Sequence, residues 1–168
     1  MGIKRISRHL LATRGPLRRA FPASALKTIE QAIRASETTH RGQIRFVIET
    51  ALDGAPLFGD QSVRERAIDV FSLLRIWDTA QNNGVMIYLL FADHTVEIVA
   101  DRGIDAHVGA AGWADICREM EAAFRRGEFE RGALDGIAAI SAHLARHFPP
   151  TGQPAINELP DTPVVIVR

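Results

Sequence analysis

The segment Val-Met-Ile-Tyr-Leu-Leu-Phe at residues 85–91 limits the possible folds more than any other part of the sequence. Its odd and even positions are both apolar, so a strand made of these residues must be covered on both faces. Such strands lie in the middle of a sheet that has helices packed on each side. Asn83-Gly84 precedes the segment and Ala92-Asp93-His94 follows it, and both sequences favour turns. These features predict an α/β protein.

Two further strands and a helix are predicted around this segment. Residues 43–51 begin with alternating apolar side chains, and residues 95–100 are positioned to pair with 85–91 as a hairpin. Residues 63–80 have apolar side chains at helical spacing, with Trp77 as the last of them. A strand, a helix and a strand in this order are typical of a right-handed parallel crossover. The predicted fold is therefore α/β, with a small mixed sheet (a parallel β-α-β crossover plus an antiparallel hairpin) sandwiched by helices.

The rest of the chain predicts three more helices and two terminal segments. Helical periodicity places the helices at residues 23–38, 113–126 and 131–147. The predicted divisions are a basic N-terminal segment at 1–21, an α/β domain at 22–148 and a Pro-rich tail at 149–168. The tail closes with Val-Val-Ile-Val, which leaves two alternatives, an extended strand on a sheet edge or a loose end.

The formal net charge of zero hides an uneven distribution of charge. The first 34 residues contain eight Lys or Arg and a single acid, Glu30, so the remainder has a formal balance of −7. A basic segment on an acidic body indicates an anionic partner, here a membrane surface or a membrane-bound protein. The alternative is a solvated basic face that only aids solubility. Nucleic acid is not expected, because no recognition motif follows the basic residues and the acidic body would repel phosphate.

Composition also bears on location and redox chemistry. No stretch of about 18 consecutive apolar residues is present, and the beginning of the chain lacks the long apolar core of a secretory signal. We therefore expect a cytoplasmic protein, either free or peripheral to the inner membrane. The single cysteine, Cys117, excludes a disulfide framework and a Cys-x-x-Cys metal site.

Residues 82–104 resemble the central motif of the TPM domain family. That motif has a helix ending near a Trp, an Asn-Gly entry into an apolar strand, a polar turn, a second strand and a closing Gly. The matching places are occupied by Trp77, Asn83, Gly84, Asp93 and Gly103. Residues 127–140 look like the last helix of the family, and the resemblance extends over about residues 42–148. The chain looks most like the short bacterial branch, whose members lack the signal peptide and transmembrane tail.

The resemblance implies an α/β sandwich and, for some members, acid phosphatase activity with Ca²⁺ bound in a cleft. Longer members carry an Asp before the first helix that helps to form the acidic site. Here that region is basic and no Asp precedes Asp53, and Trp77-Asp78-Thr79-Ala80 stands in place of a Trp-Gly-x-Gly stretch. Two function classes follow. One is a non-catalytic binding or assembly module near the inner membrane, and the other is a divalent-metal-assisted acid phosphatase.

Four aspartates are candidate ligands for Ca²⁺ or Mg²⁺, which prefer oxygen ligands. Asp53 follows the first strand and Asp93 follows the second, so parallel pairing would bring both to one edge of the sheet, where ligands of α/β proteins usually bind. Asp78 and Asp101 form a second candidate pair at the opposite edge. Asp93 and Asp101 are separated by a strand of roughly 20 Å and cannot share an ion.

The first pair, with Asp60 nearby in sequence, agrees with both the edge rule and the family motif. Each aspartate also has an ordinary structural role open to it, a turn or a surface ion pair. As a turn residue, Asp93 is expected to tolerate replacement by alanine without loss of the fold.

Overall fold

A computed structural model describes residues 3–152 and 156–167, apart from the side chain of Ile3. Within these ranges the strands are β1 (Gln43–Glu49), β2 (Gly84–Leu90), β3 (Thr95–Ala100) and β4 (Val164–Ile166). The helices are α1 (Ile3–Leu11), α2 (Arg14–Ala20), α3 (Ala23–Ser36), α4 (Gly54–Phe58), α5 (Val63–Leu73), α6 (Arg102–Arg125) and α7 (Phe129–His147). A short 3₁₀ turn, Phe91–Asp93, joins β2 to β3.

The four strands form one mixed sheet in the order β3-β2-β1-β4. β1 and β2 are parallel, with Gln43 opposite Gly84 and Glu49 opposite Leu90, and β3 runs antiparallel to β2. The predicted crossover and hairpin are therefore confirmed. β4 pairs with β1 in parallel, so of the two alternatives for the last residues the structure shows the edge strand.

Helices cover both faces of the sheet, as the apolar character of β2 requires. Ile87 contributes to a core cluster with α3, α6 and α7, whereas Met86 and Tyr88 contribute to a second cluster with α5. Alternation along the strand sends successive side chains to opposite faces. Both clusters consist of buried side chains, so the α/β sandwich is confirmed.

The helix predicted at residues 63–80 is wrong at its C-terminal end. α5 ends at Leu73, and Arg75 has a left-handed φ of 53°, which no continuing helix can contain. The chain then turns, and Trp77 is 50% exposed rather than part of the apolar helix face. Periodicity alone extends the helix too far, because apolar residues in the following turn happen to keep the helical spacing.

The helix predicted to begin at residue 113 begins earlier. α6 starts at Arg102, and Asp101 caps it by accepting a hydrogen bond from the Arg102 N–H at 2.7 Å. Gly109 interrupts this helix with φ 70° and ψ 168°, so two helical segments meet at a kink. The helix predicted at residues 113–126 corresponds to the segment that follows this kink.

The basic segment at residues 1–21 is helical in the part that the structure describes. α1 and α2 are both short, and Leu17 and Phe21 are buried in the core cluster of α3 and α7. Among the described helices, none is long and apolar enough to cross a membrane. The division at residue 21 stays a prediction, although these contacts tie α2 closely to the domain.

Two glycines of the family motif hold the loop between α5 and β2 against the sheet. A Cβ atom at Gly84 would collide with the main-chain oxygen of Ile76, and one at Gly103 would collide with the oxygens of Gln81 and Asn82. In each case the obstacle is backbone, which cannot rotate away as a side chain would. The motif therefore needs glycine at these positions for close approach of the main chain.

We expect Gly84→Ala to lower the free energy of unfolding by about 2–3 kcal/mol, because the loop or the strand must shift to admit the methyl group. For a chain of this length the melting temperature should fall by about 4–12 °C. Thermal melts followed by circular dichroism measure this. Gly15→Ala is the control, since the nearest atom to a Cβ at Gly15 is the Thr13 hydroxyl oxygen at 3.9 Å, an ordinary contact, and Gly15 is not one of the glycines with a positive φ. An equal loss in both variants would contradict the explanation.

The tail is bound along β1 by charged and polar side chains. Arg45, which is buried in β1, donates to the main-chain oxygens of Pro160 and Thr162, and Arg34 of α3 forms an ion pair with Asp161 at 3.0 Å. Glu37 lies beside this pair. Burial and the nearby Asp161 carboxylate raise its pKa to about 7, while Arg34 lowers it.

This raised pKa predicts a pH-dependent stability. Because folded Glu37 holds its proton to a higher pH than the unfolded residue does, stability is lost as the pH rises from about 4.5 to 7. Glu37→Gln is therefore expected to be more stable than the parent by about 1–2 kcal/mol at pH 8, and nearly equal to it at pH 5. Urea denaturation at the two pH values measures the difference. Glu30→Gln, which neutralises the acid that pairs with Arg34, should show no gain at pH 8.

Candidate functional site at the carboxyl edge of the sheet

Helix α1 lies across the edge where the parallel strands β1 and β2 end. The Ala92 N–H donates to the Thr50 carbonyl at 3.0 Å, so the segments that follow the two strands are held together. Asp93 comes at the end of the 3₁₀ turn after β2 and points toward α1. The parallel direction that the sequence predicts for these strands is what brings the two loops to one edge.

Both oxygens of Asp93 are bound by basic side chains of α1. Arg5 Nε donates to Oδ2 at 3.0 Å, and His9 Nε2 lies 3.0 Å from Oδ1. Arg8 approaches the same carboxylate at 3.7 Å. Arg5 and His9 are four residues apart and therefore share the inward face of the helix. The Asp93 carboxylate is only 9% exposed, so these contacts are largely shielded from water.

His9 is held in one tautomer by a second hydrogen bond. Its ring is fully buried, and its Nδ1 accepts from the Leu52 N–H at 2.9 Å. Since Nδ1 is the acceptor, the ring proton is on Nε2 and is donated to Asp93. Burial acts to raise the pKa of Asp93, but the hydrogen bonds from His9 and Arg5 outweigh it and hold this pKa below its ordinary value. Asp93 is therefore an ionised carboxylate with fixed donors.

Arg5 also joins Asp93 to the loop that follows α4. Its Nη1 donates to Asp60 at 3.0 Å, and its Nη2 donates to the Gln61 carbonyl at 3.0 Å. Asp60 adopts a left-handed φ of 54°, a conformation that aspartate tolerates better than most residues. The two carboxylates thus come to one place, as the sequence suggests, but a guanidinium lies between them.

Asp53 has a local role at the start of α4. Its side chain accepts from the Gly54 N–H at 2.7 Å and caps α4. A Ca²⁺ or Mg²⁺ ion needs several oxygens with open lone pairs, whereas Asp93 is already bound by cationic and neutral donors. The basic side chains already bound to Asp93 disfavour a divalent cation in this arrangement. In the described part of the chain, no group of three or more His, Cys, Asp or Glu could hold a metal ion.

The second candidate pair, Asp78 and Asp101, occupies two unlike environments. Asp78 is exposed in the turn after α5, and its N–H donates to the Arg75 carbonyl at 3.0 Å. Asp101 is buried and caps α6, with Oδ2 making no hydrogen bond to any described residue. Their individual roles are a turn and a helix cap. Metal binding by either pair stays a prediction.

A buried charge network lies beneath the same edge. Glu49, the last residue of β1, receives two hydrogen bonds from Arg66 of α5, at 2.9 and 2.8 Å, and a third from the Tyr88 hydroxyl at 2.6 Å. Burial and the neighbouring Glu49 carboxylate raise the pKa of Tyr88, so its hydroxyl keeps its proton. This network ties α5 to the centre of the sheet.

Sequence reasoning missed Arg5, His9 and the Glu49–Arg66 pair. The i,i+4 spacing of Arg5 and His9 is visible in the sequence, but the segment has too few apolar residues to indicate a packed helix. From the sequence, Arg5 is interpreted only as part of the basic N-terminal segment. A helix that packs through charged side chains cannot be detected from the periodicity of apolar residues.

Comparison with known proteins identifies the family. A family model described as the TPM domain matches residues 18–143, which is most of the chain. The chain belongs to the TPM domain family. No curated protein matches it. The resemblance seen in the central motif and the last helix is therefore confirmed, and both lie inside the matched residues.

Two solved structures are similar to this TPM domain protein. The NMR structure of the BA42 protein from the psychrophilic bacterium Bizionia argentinensis is 33% identical and has a TM-score of 0.75; the match covers 86% of this chain and 94% of that one. The solution NMR structure of the N-terminal domain of a protein from P. gingivalis is 16% identical and has a TM-score of 0.60; the match covers 75% of this chain and 79% of that one. The second likeness concerns the fold alone.

Proposed function

We propose that this TPM domain protein is a non-catalytic docking module at an anionic membrane surface, with the outward face of α1 as its contact. The proposal rests on the contacts of Asp93. Arg5 and His9 of the chain's own α1 bind both oxygens of that carboxylate. The position where the family resemblance implies a metal ligand thus anchors a basic helix.

The outward face of α1 has the composition of an interfacial helix. Lys4, Arg8 and Leu11 follow one another at spacings of four and three. Leu11 is 77% exposed, and Arg8 is half exposed although its guanidinium reaches to 3.7 Å from Asp93. Phe58 of α4, the helix on which α1 packs, is 60% exposed. Basic side chains beside exposed apolar ones favour the headgroup region of an anionic bilayer. The acidic remainder of the chain would orient away from such a surface.

Vesicle sedimentation tests the proposal. The full chain is expected to bind vesicles containing phosphatidylglycerol at low salt, to leave them at high salt, and not to bind phosphatidylcholine vesicles. Because each basic residue near such a surface contributes about 1 kcal/mol, Lys4→Gln with Arg8→Gln should weaken binding about thirtyfold. The control is Arg118→Gln with Arg131→Gln, two exposed arginines on α6 and α7. An equal loss in the control, or binding to neutral vesicles, would refute the docking face.

The alternative function is a metal-assisted acid phosphatase, and it has a separate test. Thermal melts with millimolar Ca²⁺ or Mg²⁺ are run beside a phosphatase assay on p-nitrophenyl phosphate. An ion at a hundred times its dissociation constant adds about 2.7 kcal/mol, which raises the melting temperature by about 5–11 °C. Such a rise, together with turnover that Asp93→Asn abolishes, would replace the docking proposal with the enzyme. We expect neither, because basic side chains already bind both oxygens of Asp93, and their positive charge disfavours a cation at the same place.

A further inference from the structure

A groove of about 320 Å³ runs between α2 and the edge strand β4. Its floor is formed by Leu17, Phe21 and Ile48, all of them buried core residues. β4 pairs with β1 over three residues at the edge of the sheet, and the groove lies between this edge strand and α2. The floor of the groove is therefore apolar.

The wall of the groove consists of valines that the fold leaves exposed. Val165 lies opposite Ile48 in the sheet, so the two side chains share a face, and Val167 continues that face two residues later. Val165 is 37% and Val167 is 40% exposed. Val164 and Ile166, on the other face of β4, pack on the second core cluster instead. One face of β4 thus packs on the core and the other lines the groove.

The rim of the groove is basic. Arg14 and Arg18 are four residues apart on α2, so they lie on one face of the helix and border the apolar floor. Arginine side chains can lie along hydrocarbon with their aliphatic stems while the guanidinium stays in water. No Asp or Glu lines this groove, whereas each of the three other cavities described contains at least two of them.

We propose that this groove binds a single-chain anionic amphiphile, a fatty-acid anion, with its hydrocarbon chain on the apolar floor and its carboxylate on Arg18. Free phosphate, sugars and nucleotides offer no hydrocarbon for Leu17, Phe21 and Ile48. A volume of 320 Å³ is at the lower end of ligand cavities and suits one chain rather than the two of a phospholipid. The site uses α2 and β4, so it does not rest on membrane docking by α1.

Titration with decanoate below its micellar concentration tests this site. Amide chemical shifts in ¹⁵N spectra should change around Leu17, Ile48 and Val165 and saturate with one ligand per chain. Affinity should rise about fourfold for each methylene added from octanoate to decanoate, as expected for chain burial. Decanol, which lacks the charge, should bind more weakly. Shifts scattered over the whole surface, or equal binding of decanol, would overturn the proposal.

Two variants test separately how the charged rim and the apolar floor of the groove contribute to binding. Arg18→Gln should weaken decanoate binding about tenfold and leave decanol binding unchanged. Val167→Trp should fill the groove and abolish binding of both, and it alters a residue outside β4 that is already exposed. Arg118→Gln serves as the control. Decanoate binding that neither variant weakens would refute the site, as would binding to phosphatidylglycerol vesicles with none to free decanoate.

Discussion

Replacing Arg66 with alanine is expected to lower the free energy of unfolding by about 3–5 kcal/mol. The substitution leaves Glu49, whose side chain is 6% exposed, without the two hydrogen bonds that balance its charge. Removing one partner of a buried ion pair costs far more than the pair itself contributes, because the remaining charge is no longer compensated. The melting temperature should fall by about 6–20 °C, measured by calorimetry or circular dichroism.

A matched control lies two residues earlier on the same helix. Arg64 is half exposed and pairs with Glu97 at 3.4 Å, so Arg64→Ala should cost only about 1 kcal/mol. The double variant Glu49→Leu with Arg66→Leu should lose less than Arg66→Ala, because it leaves no buried charge behind. If Arg64→Ala were as damaging as Arg66→Ala, uncompensated charge would not be the cause.

The sheet could be predicted from the sequence because its strands have strong local signals. Residues 85–91 are apolar at every position, and a strand of that kind has few places in a fold other than the centre of a sheet. The turn residues on both sides set its length. Parallel pairing of β1 followed from the intervening helix, and that direction correctly brings the Asp53 and Asp93 loops to one edge.

What the sequence could not predict depends on contacts between distant residues. Arg5 and Asp93 are 88 residues apart, and Arg66 and Glu49 are 17 apart. Charged side chains are common on solvated faces, so neither arginine stands out in a pattern of apolar periodicity. The end of α5 was missed for a related reason, since the left-handed turn at Arg75 is fixed by how the loop packs and not by a glycine.

Asp93→Ala is expected to destabilise the protein by about 2–4 kcal/mol, which corresponds to about 4–16 °C in melting temperature. The substitution leaves the buried Nε2–H of His9 without an acceptor and removes the carboxylate that holds Arg5. This reverses the expectation from the sequence, in which an aspartate at a hairpin turn is replaceable. The matched control is Asp78→Ala, an exposed turn aspartate, whose loss should stay within about 0.5 kcal/mol.

The pH dependence of the stability difference between the parent and Asp93→Ala shows whether the Asp93 charge or only its packing stabilises the fold. Because the pKa of Asp93 is lower in the folded chain, the stabilisation is present above the unfolded pKa and is lost as the pH falls through the folded one. The difference between parent and Asp93→Ala should therefore be largest near pH 7 and shrink below about pH 4. A difference that is constant from pH 7 to pH 3 would mean that the ionised carboxylate is not what α1 recognises.

Vesicle binding by Asp93→Ala also tests the proposed docking through α1. Without Asp93, Arg5 loses one of its two carboxylate partners, so α1 is held less tightly on the sheet and becomes more basic overall. Docking through α1 then predicts that Asp93→Ala binds phosphatidylglycerol vesicles at least as tightly as the parent does, measured at a temperature where both are folded. Weaker binding would mean that α1 must remain anchored on Asp93 to present Lys4, Arg8 and Leu11 together.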